Sequence, residues 1–101
     1  MRIVSRKSLV QFWEIHKEVE TPLLQWFRVV SEARWQNSND VKQTFNTVDQ
    51  PIINQKRIAI LNVGGNKFRI IASIHFNTQI VFIRDILTHT QYERGSWRNK
   101  I

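Results

Sequence analysis

Along the first half of the chain, apolar residues recur at helical spacing; along the second half they crowd into short runs of β-branched and aromatic types. Residues 1–4 read as a short strand. From Ser5 the period becomes helical. Leu9, Phe12, Trp13 and His16 fall on one stripe, Ser5 can cap its start, and the stripe fades near Val19. Thr21-Pro22 signals a second helix, a cap followed by proline at the first helical position. Leu23, Trp26, Phe27 and Val30 form its apolar face, and it ends before Asn37-Ser38. A short third helix over residues 38–45 carries Val41 and Phe45 one turn apart. Asp49-Gln50-Pro51 reads as a loop.

After Pro51 the spacing changes. Residues 56–63, 67–74 and 79–86 read as strands. Gly64-Gly65-Asn66 joins the first pair, where glycine suits the positive φ of a hairpin turn. Residues 75–78 join the second pair, giving a three-stranded antiparallel meander. Helices first and strands after predict one α+β domain over residues 1–101. A short N-terminal strand and two to three helices would pack on one face of a small antiparallel sheet. In the middle strand Phe68, Ile70 and Ala72 share the face expected to meet the helices. Lys67, Arg69, Ile71 and Ser73 share the other, expected to stay open or half open and basic near the turn. Lys56 or Arg57 and Arg84 would add to this platform from the outer strands.

Charge sharpens that picture. Fifteen Lys plus Arg stand against eight Asp plus Glu, a net charge of +7. Such an excess suits a polyanionic partner: RNA, DNA or an acidic protein. The chain has no cysteine, which excludes a disulfide scaffold and a thiolate metal site and fits a reducing compartment. Three scattered histidines add no zinc pattern. No apolar run approaches the roughly 18 residues of a membrane span. The opening MRIVSRKSL lacks the apolar middle of a signal peptide, so a cytoplasmic protein without membrane contact is expected.

Candidate chemistry sits just past the last strand, at His89 and Tyr92. Loops at strand ends often carry reactive groups. Histidine is well suited to proton transfer, and tyrosine can donate a hydrogen bond or stack on a base. Plainer roles are a capping histidine and a packing tyrosine. His16, on the apolar stripe, reads as structural, and His75, beside a turn, as exposed.

The order of these features resembles the HigB family of toxins from bacterial type II toxin–antitoxin systems, within the RelE-like superfamily. The opening MRIVSRKSLVQFWEIH, Pro22-Leu23, Trp26, Trp35, Asp40-Val41-Lys42 and Phe45 all match in order. The strongest stretch, Asn62 through Ile70 (NVGGNKFRI), is close to that family's N-I-x-G-N-K-Y-R-L. Ile83-Arg84, Thr88-His89 and Tyr92 follow at compatible spacing. Phe68 stands where the family usually has Tyr, and Glu93 where Asp usually follows the tyrosine. The tail GSWRNKI is not a shared pattern; it reads as a flexible RNA-contacting arm or a loose chain end from about residue 94.

The resemblance implies a compact α+β fold with a curved antiparallel sheet. It implies an mRNA interferase, an endoribonuclease that commonly cuts mRNA on the translating ribosome. It further implies inhibition by a cognate helix-turn-helix (HigA-like) antitoxin, with the complex repressing its own operon. A monomer alone and a hetero-oligomer with the antitoxin are expected. If the chain is a ribonuclease, the ribose 2′-hydroxyl attacks the neighbouring phosphate, and Lys67, Arg69 and Arg84 are placed to hold that phosphate. His89 is the leading acid or base, and Tyr92 the alternative or a stacking partner. Lys67 can exchange roles with His89. Lys56, Arg57, Asn66 and Lys67 would bind RNA, with no metal or cofactor required. Two other readings remain: a non-catalytic basic RNA-binding module, in which His89 is dispensable, and a degenerate toxin that only grips its antitoxin.

Overall fold

The computed structural model describes residues 1–101. Strand β1 (Arg2–Val4) leads into helix α1 (Arg6–Ile15), which buries Leu9 and half-buries Phe12 and Trp13. Ser5 precedes the helix but makes no side-chain cap bond. The stripe expected to run to Val19 breaks at His16, whose N–H closes the helix on the Phe12 carbonyl at 2.9 Å. A 3₁₀ turn, Lys17–Val19, follows, and α2 starts at Glu20 and runs to Glu32. Pro22 therefore lies inside the first turn, where a missing N–H costs nothing. Leu23, Trp26 and Val30 bury one stripe of α2, as their spacing demands. Helix α3 (Ser38–Thr44) is capped by Asn37, whose side chain accepts from the Asp40 N–H at 3.0 Å.

Strands β2 (Ile52–Ile53) and β3 (Lys56–Arg57) form a small hairpin of their own. Asn54 and Gln55 turn it with φ of 51° and 66°, as a two-residue hairpin loop requires. The strand expected over residues 56–63 is thus split at Ile58, and β4 proper is Ala59–Val63. Strands β5 (Phe68–His75) and β6 (Ile80–Thr88) complete the meander. The sheet order is β1-β6-β5-β4. Because β1 runs parallel to β6, through Arg2↔Ile80 to Val4↔Phe82, the sheet is mixed rather than wholly antiparallel. The architecture is α+β, as expected.

The period-2 alternation holds along β5: Phe68, Ile70 and Ala72 join the large core beneath the helices, with Leu9, Leu23, Trp26 and Val30. Along β6 it does not hold. Ile71 pairs with Asp85 but Ala72 pairs with Ile83, so Arg84 is an extra residue in a bulge. Val81 and Ile83 reach the large core before the bulge, and Ile86 reaches it after. Without the bulge, Ile86 would share its face with Phe82 instead.

The second face of the sheet is not open. Ile58, Ile60, Ile71 and Leu87 bury themselves there with Trp97, which is 2% exposed. The cover is the last part of the chain, a 3₁₀ helix over Ser96–Lys100, joined by Ile53 of the small hairpin. The segment read as an arm or loose end is therefore a lid on a second, smaller core. Ile60 and Ile71 alternate onto that face, and leaving them bare would expose a contiguous apolar patch. No helix is long and apolar enough to cross a membrane.

Candidate active site

The beginning of β5 and the end of β6 lie side by side, through the pairs Phe68↔Thr88 and Arg69↔Leu87. Helix α4 (His89–Arg94) starts where β6 stops. Thr88 drives that switch. Its hydroxyl accepts from the Gln91 N–H at 3.2 Å, and the Gln91 side-chain oxygen accepts from the Thr88 N–H at 3.0 Å, a reciprocal capping box. The stretch expected as a loop is thus a helical turn, and the Thr88-x-x-Gln91 spacing carried the signal. The His89 N–H donates to the Lys67 carbonyl at 2.8 Å, which ties the new helix to the turn before β5.

Arg69 emerges at this end, on the second face. Its Nη1 donates to the carbonyls of Asn66 at 3.0 Å and Phe68 at 3.2 Å, and its Cζ lies 5.2 Å from the Tyr92 ring centre. These bonds use one nitrogen of the fork and leave Nε and the other terminal nitrogen for an anion. Tyr92 also stacks on Trp97, with centres 5.5 Å apart and planes 14° apart. His89 Nε2 stands 3.6 Å from Glu93 Oε1, one helical turn on. Glu93, not singled out as a functional position from sequence, therefore faces the candidate acid–base; the i,i+4 spacing was the available clue. Lys100 pairs with Asp85, and His16 and His89 stand near Glu18 and Glu93, so Lys67 and Arg69 keep their charge uncompensated.

The other expected members lie elsewhere. Arg84, exposed at the bulge, lines a groove of about 270 Å³ with Ser8, Gln11, Phe12 and Ile15 of α1. Lys56 and Arg57 sit before β4, whereas the turn holding Asn66 and Lys67 follows it. Five strand residues separate them, about 16 Å of chain, so they do not converge on Arg69. Arg57 instead donates to the Gln50 carbonyl at 3.1 Å. His16 stacks on Phe12 at 4.6 Å and meets Phe68 edge-on at 5.7 Å, a packing role. His75 is exposed and meets Phe82 edge-on. No group of three or more His, Asp and Glu side chains comes together to hold a metal.

What remains at one end of the sheet is two cations, Lys67 and Arg69, beside two side chains able to move protons, His89 and Tyr92. Such a set can bind a phosphate, neutralise charge building on it and exchange protons with its neighbours.

Comparison with known proteins identifies the family. The family model for HigB_toxin, described as a RelE-like toxic component of a toxin–antitoxin system, matches residues 19–95. The chain is 26% identical over 93 residues to the mRNA interferase toxin HigB of Escherichia coli K12, covering 92% of this chain and 88% of that protein. The mRNA interferase HigB of Shigella flexneri is similar to the same extent. That of Escherichia coli O6:H1 (strain CFT073) is 26% identical over 94 residues, or 93% of this chain and 90% of its own length. With three-quarters of its length under the family model and an α+β architecture, the chain belongs to the HigB family of RelE-like toxins of toxin–antitoxin systems.

Proposed function

We propose that the protein is an mRNA interferase: an endoribonuclease that cuts mRNA, arrests translation and is neutralised by a partner antitoxin. The observation that carries the reading is the meeting of Lys67, Arg69, His89 and Tyr92 where β5 begins and β6 ends. The relatives named mRNA interferase support the substrate class.

In the proposed reaction a base takes the proton of the ribose 2′-hydroxyl. The 2′ oxygen then bonds to the adjacent phosphorus, the bond from phosphorus to the 5′ oxygen breaks, and an acid protonates that leaving oxygen. One strand ends in a 2′,3′-cyclic phosphate and the other in a 5′-hydroxyl. Arg69, with Nε and one terminal nitrogen free, fits the non-bridging oxygens through its planar fork. Lys67 adds a second cation, engaged in none of the salt bridges of the chain. His89 is assigned one proton transfer, with Glu93 orienting its ring. Tyr92 is assigned hydrogen bonding through its hydroxyl, because its ring already meets Trp97 and Arg69. Arg84 in its groove, and Lys56 and Arg57 beyond β4, are assigned to phosphates away from the cut. Cleavage on the ribosome and a helix-turn-helix antitoxin complete the reading.

The deciding experiment is induction of the chain in bacterial cells followed by mapping of mRNA 5′ ends. New 5′-hydroxyl ends within translated frames, missing when His89→Ala is induced, are expected. Growth arrest without new ends would replace cleavage by RNA binding or ribosome blockade.

A further inference from the structure

The chain beyond residue 95 lies outside the family match, yet it closes the sheet beside the site. Gly95, at φ +77°, ends α4 in a left-handed turn that a side chain disfavours, and so folds the chain back. Trp97 then arrives beneath Tyr92. The Gly95 N–H and the Trp97 indole N–H both donate to the Tyr92 carbonyl, each at 3.1 Å. The indole ring lies nearly parallel to the Tyr92 ring, 14° apart. On its other side the strap is fastened away from the site, where Asn54 Nδ2 donates to the Ile101 carbonyl at 2.8 Å.

A plug for the small core would need only volume. Trp97 does more: it holds both the backbone and the ring of Tyr92, and Tyr92 in turn sits under the Arg69 guanidinium. Helix α4, six residues long, is too short to be stable by itself, so the direction of Tyr92 must come from such contacts. We infer that Trp97 is a positioning residue for RNA cleavage, fixing Tyr92, and through it Arg69, at the phosphate. The inference rests on the roles proposed above for Tyr92 and Arg69.

The test uses purified full-length protein cutting a translated mRNA in a reconstituted translation system. Trp97→Leu fills much of the volume but has no ring to stack. It is compared with Trp97→Phe, with Tyr92→Ala, and with the Tyr92→Ala/Trp97→Leu double variant. Tyr92 is the one tyrosine of the chain, so its ring-proton NMR signals are assigned without ambiguity, and their NOEs to the Arg69 side chain report its placement. Expected for Trp97→Leu are weakened Tyr92–Arg69 NOEs and a kcat lower by about 10²-fold, with KM near that of the parent. Trp97→Phe recovers most of the rate, and the double variant is no slower than Tyr92→Ala. If Trp97→Leu does not fold, Trp97→Phe carries the comparison: a smaller fall in kcat, again absent in the Tyr92→Ala background. A parent-like kcat in the folded Trp97 variant, or losses that multiply in the double variant, would overturn the inference while leaving Tyr92 in the site. Parent-like cleavage by Tyr92→Ala would remove Tyr92 from the proposed function, and the inference with it.

Discussion

The backbone N–H of His89 donates to the carbonyl of Lys67 at 2.8 Å, so two residues 22 positions apart move as one unit. Neither side chain takes part in that bond. It joins the glycine turn to the switch from β6 to α4. His89→Ala keeps the bond, because only the backbone makes it. The variant is therefore expected to fold normally by circular dichroism and to lose about 10²–10³ in cleavage rate, the usual effect of removing one transition-state contact. Retained toxicity in cells would place the proton transfer elsewhere.

Tyr92 offers a cleaner distinction. With its ring set against Trp97 and Arg69, its hydroxyl is the part assigned to RNA. Tyr92→Phe should then lose nearly as much kcat as Tyr92→Ala. A base-stacking role would instead spare the phenylalanine variant.

Arg69 and Arg84 should differ in kind. Arg69→Ala is expected to lower kcat by about 10²-fold or more. Arg84, in the groove against α1, is expected to matter through affinity. Arg84→Ala should raise KM and flatten the log–log dependence of RNA binding on salt by about 0.7, the slope for one single-strand phosphate contact. Binding titrations across a salt series separate the two outcomes.

Two stability predictions test how the site is supported. Ile71 is fully buried between β4 and β6 under the C-terminal strap, so Ile71→Ala should cost about 2–5 kcal/mol in denaturant unfolding. Thr88→Ala removes one half of the capping box and should cost about 1 kcal/mol, with a disproportionate loss of cleavage because α4 carries both His89 and Tyr92. Equal, small effects on stability and rate would mean that α4 is held by other contacts.

Much of this architecture is legible in the chain. The stripe Leu23, Trp26, Val30 and the alternation Phe68, Ile70, Ala72 are strong periodic signals, and both bury as their spacing says. Ranges of residues fail where one local event intervenes. Ile58 ends one hairpin before β4 begins, and residues 56–63 read as continuous because β-branched composition carries no mark for that break. The Thr88-x-x-Gln91 spacing was present but competes with a β-rich run leading into it. Trp97 had no visible partner, because the face it covers is set by Ile58, Ile60, Ile71 and Leu87, on three different strands or their flanks. Lys56 and Arg57 share a charge with Lys67 but not an end of the sheet, and direction along a strand is invisible to composition.

The extra residue at Arg84 has a further meaning. Alternation along a strand works as a reading frame, and Arg84 shifts that frame by one. Upstream, the odd-numbered Val81 and Ile83 face the helices; downstream, it is the even-numbered Ile86 that does, and Leu87 that meets Trp97. Deleting this one exposed residue would therefore turn Ile86 and Leu87 out of their separate cores together, and carry His89 to the wrong side of the sheet. A substitution at the same place loses one side chain. For folding, the position is permissive in identity and strict in count.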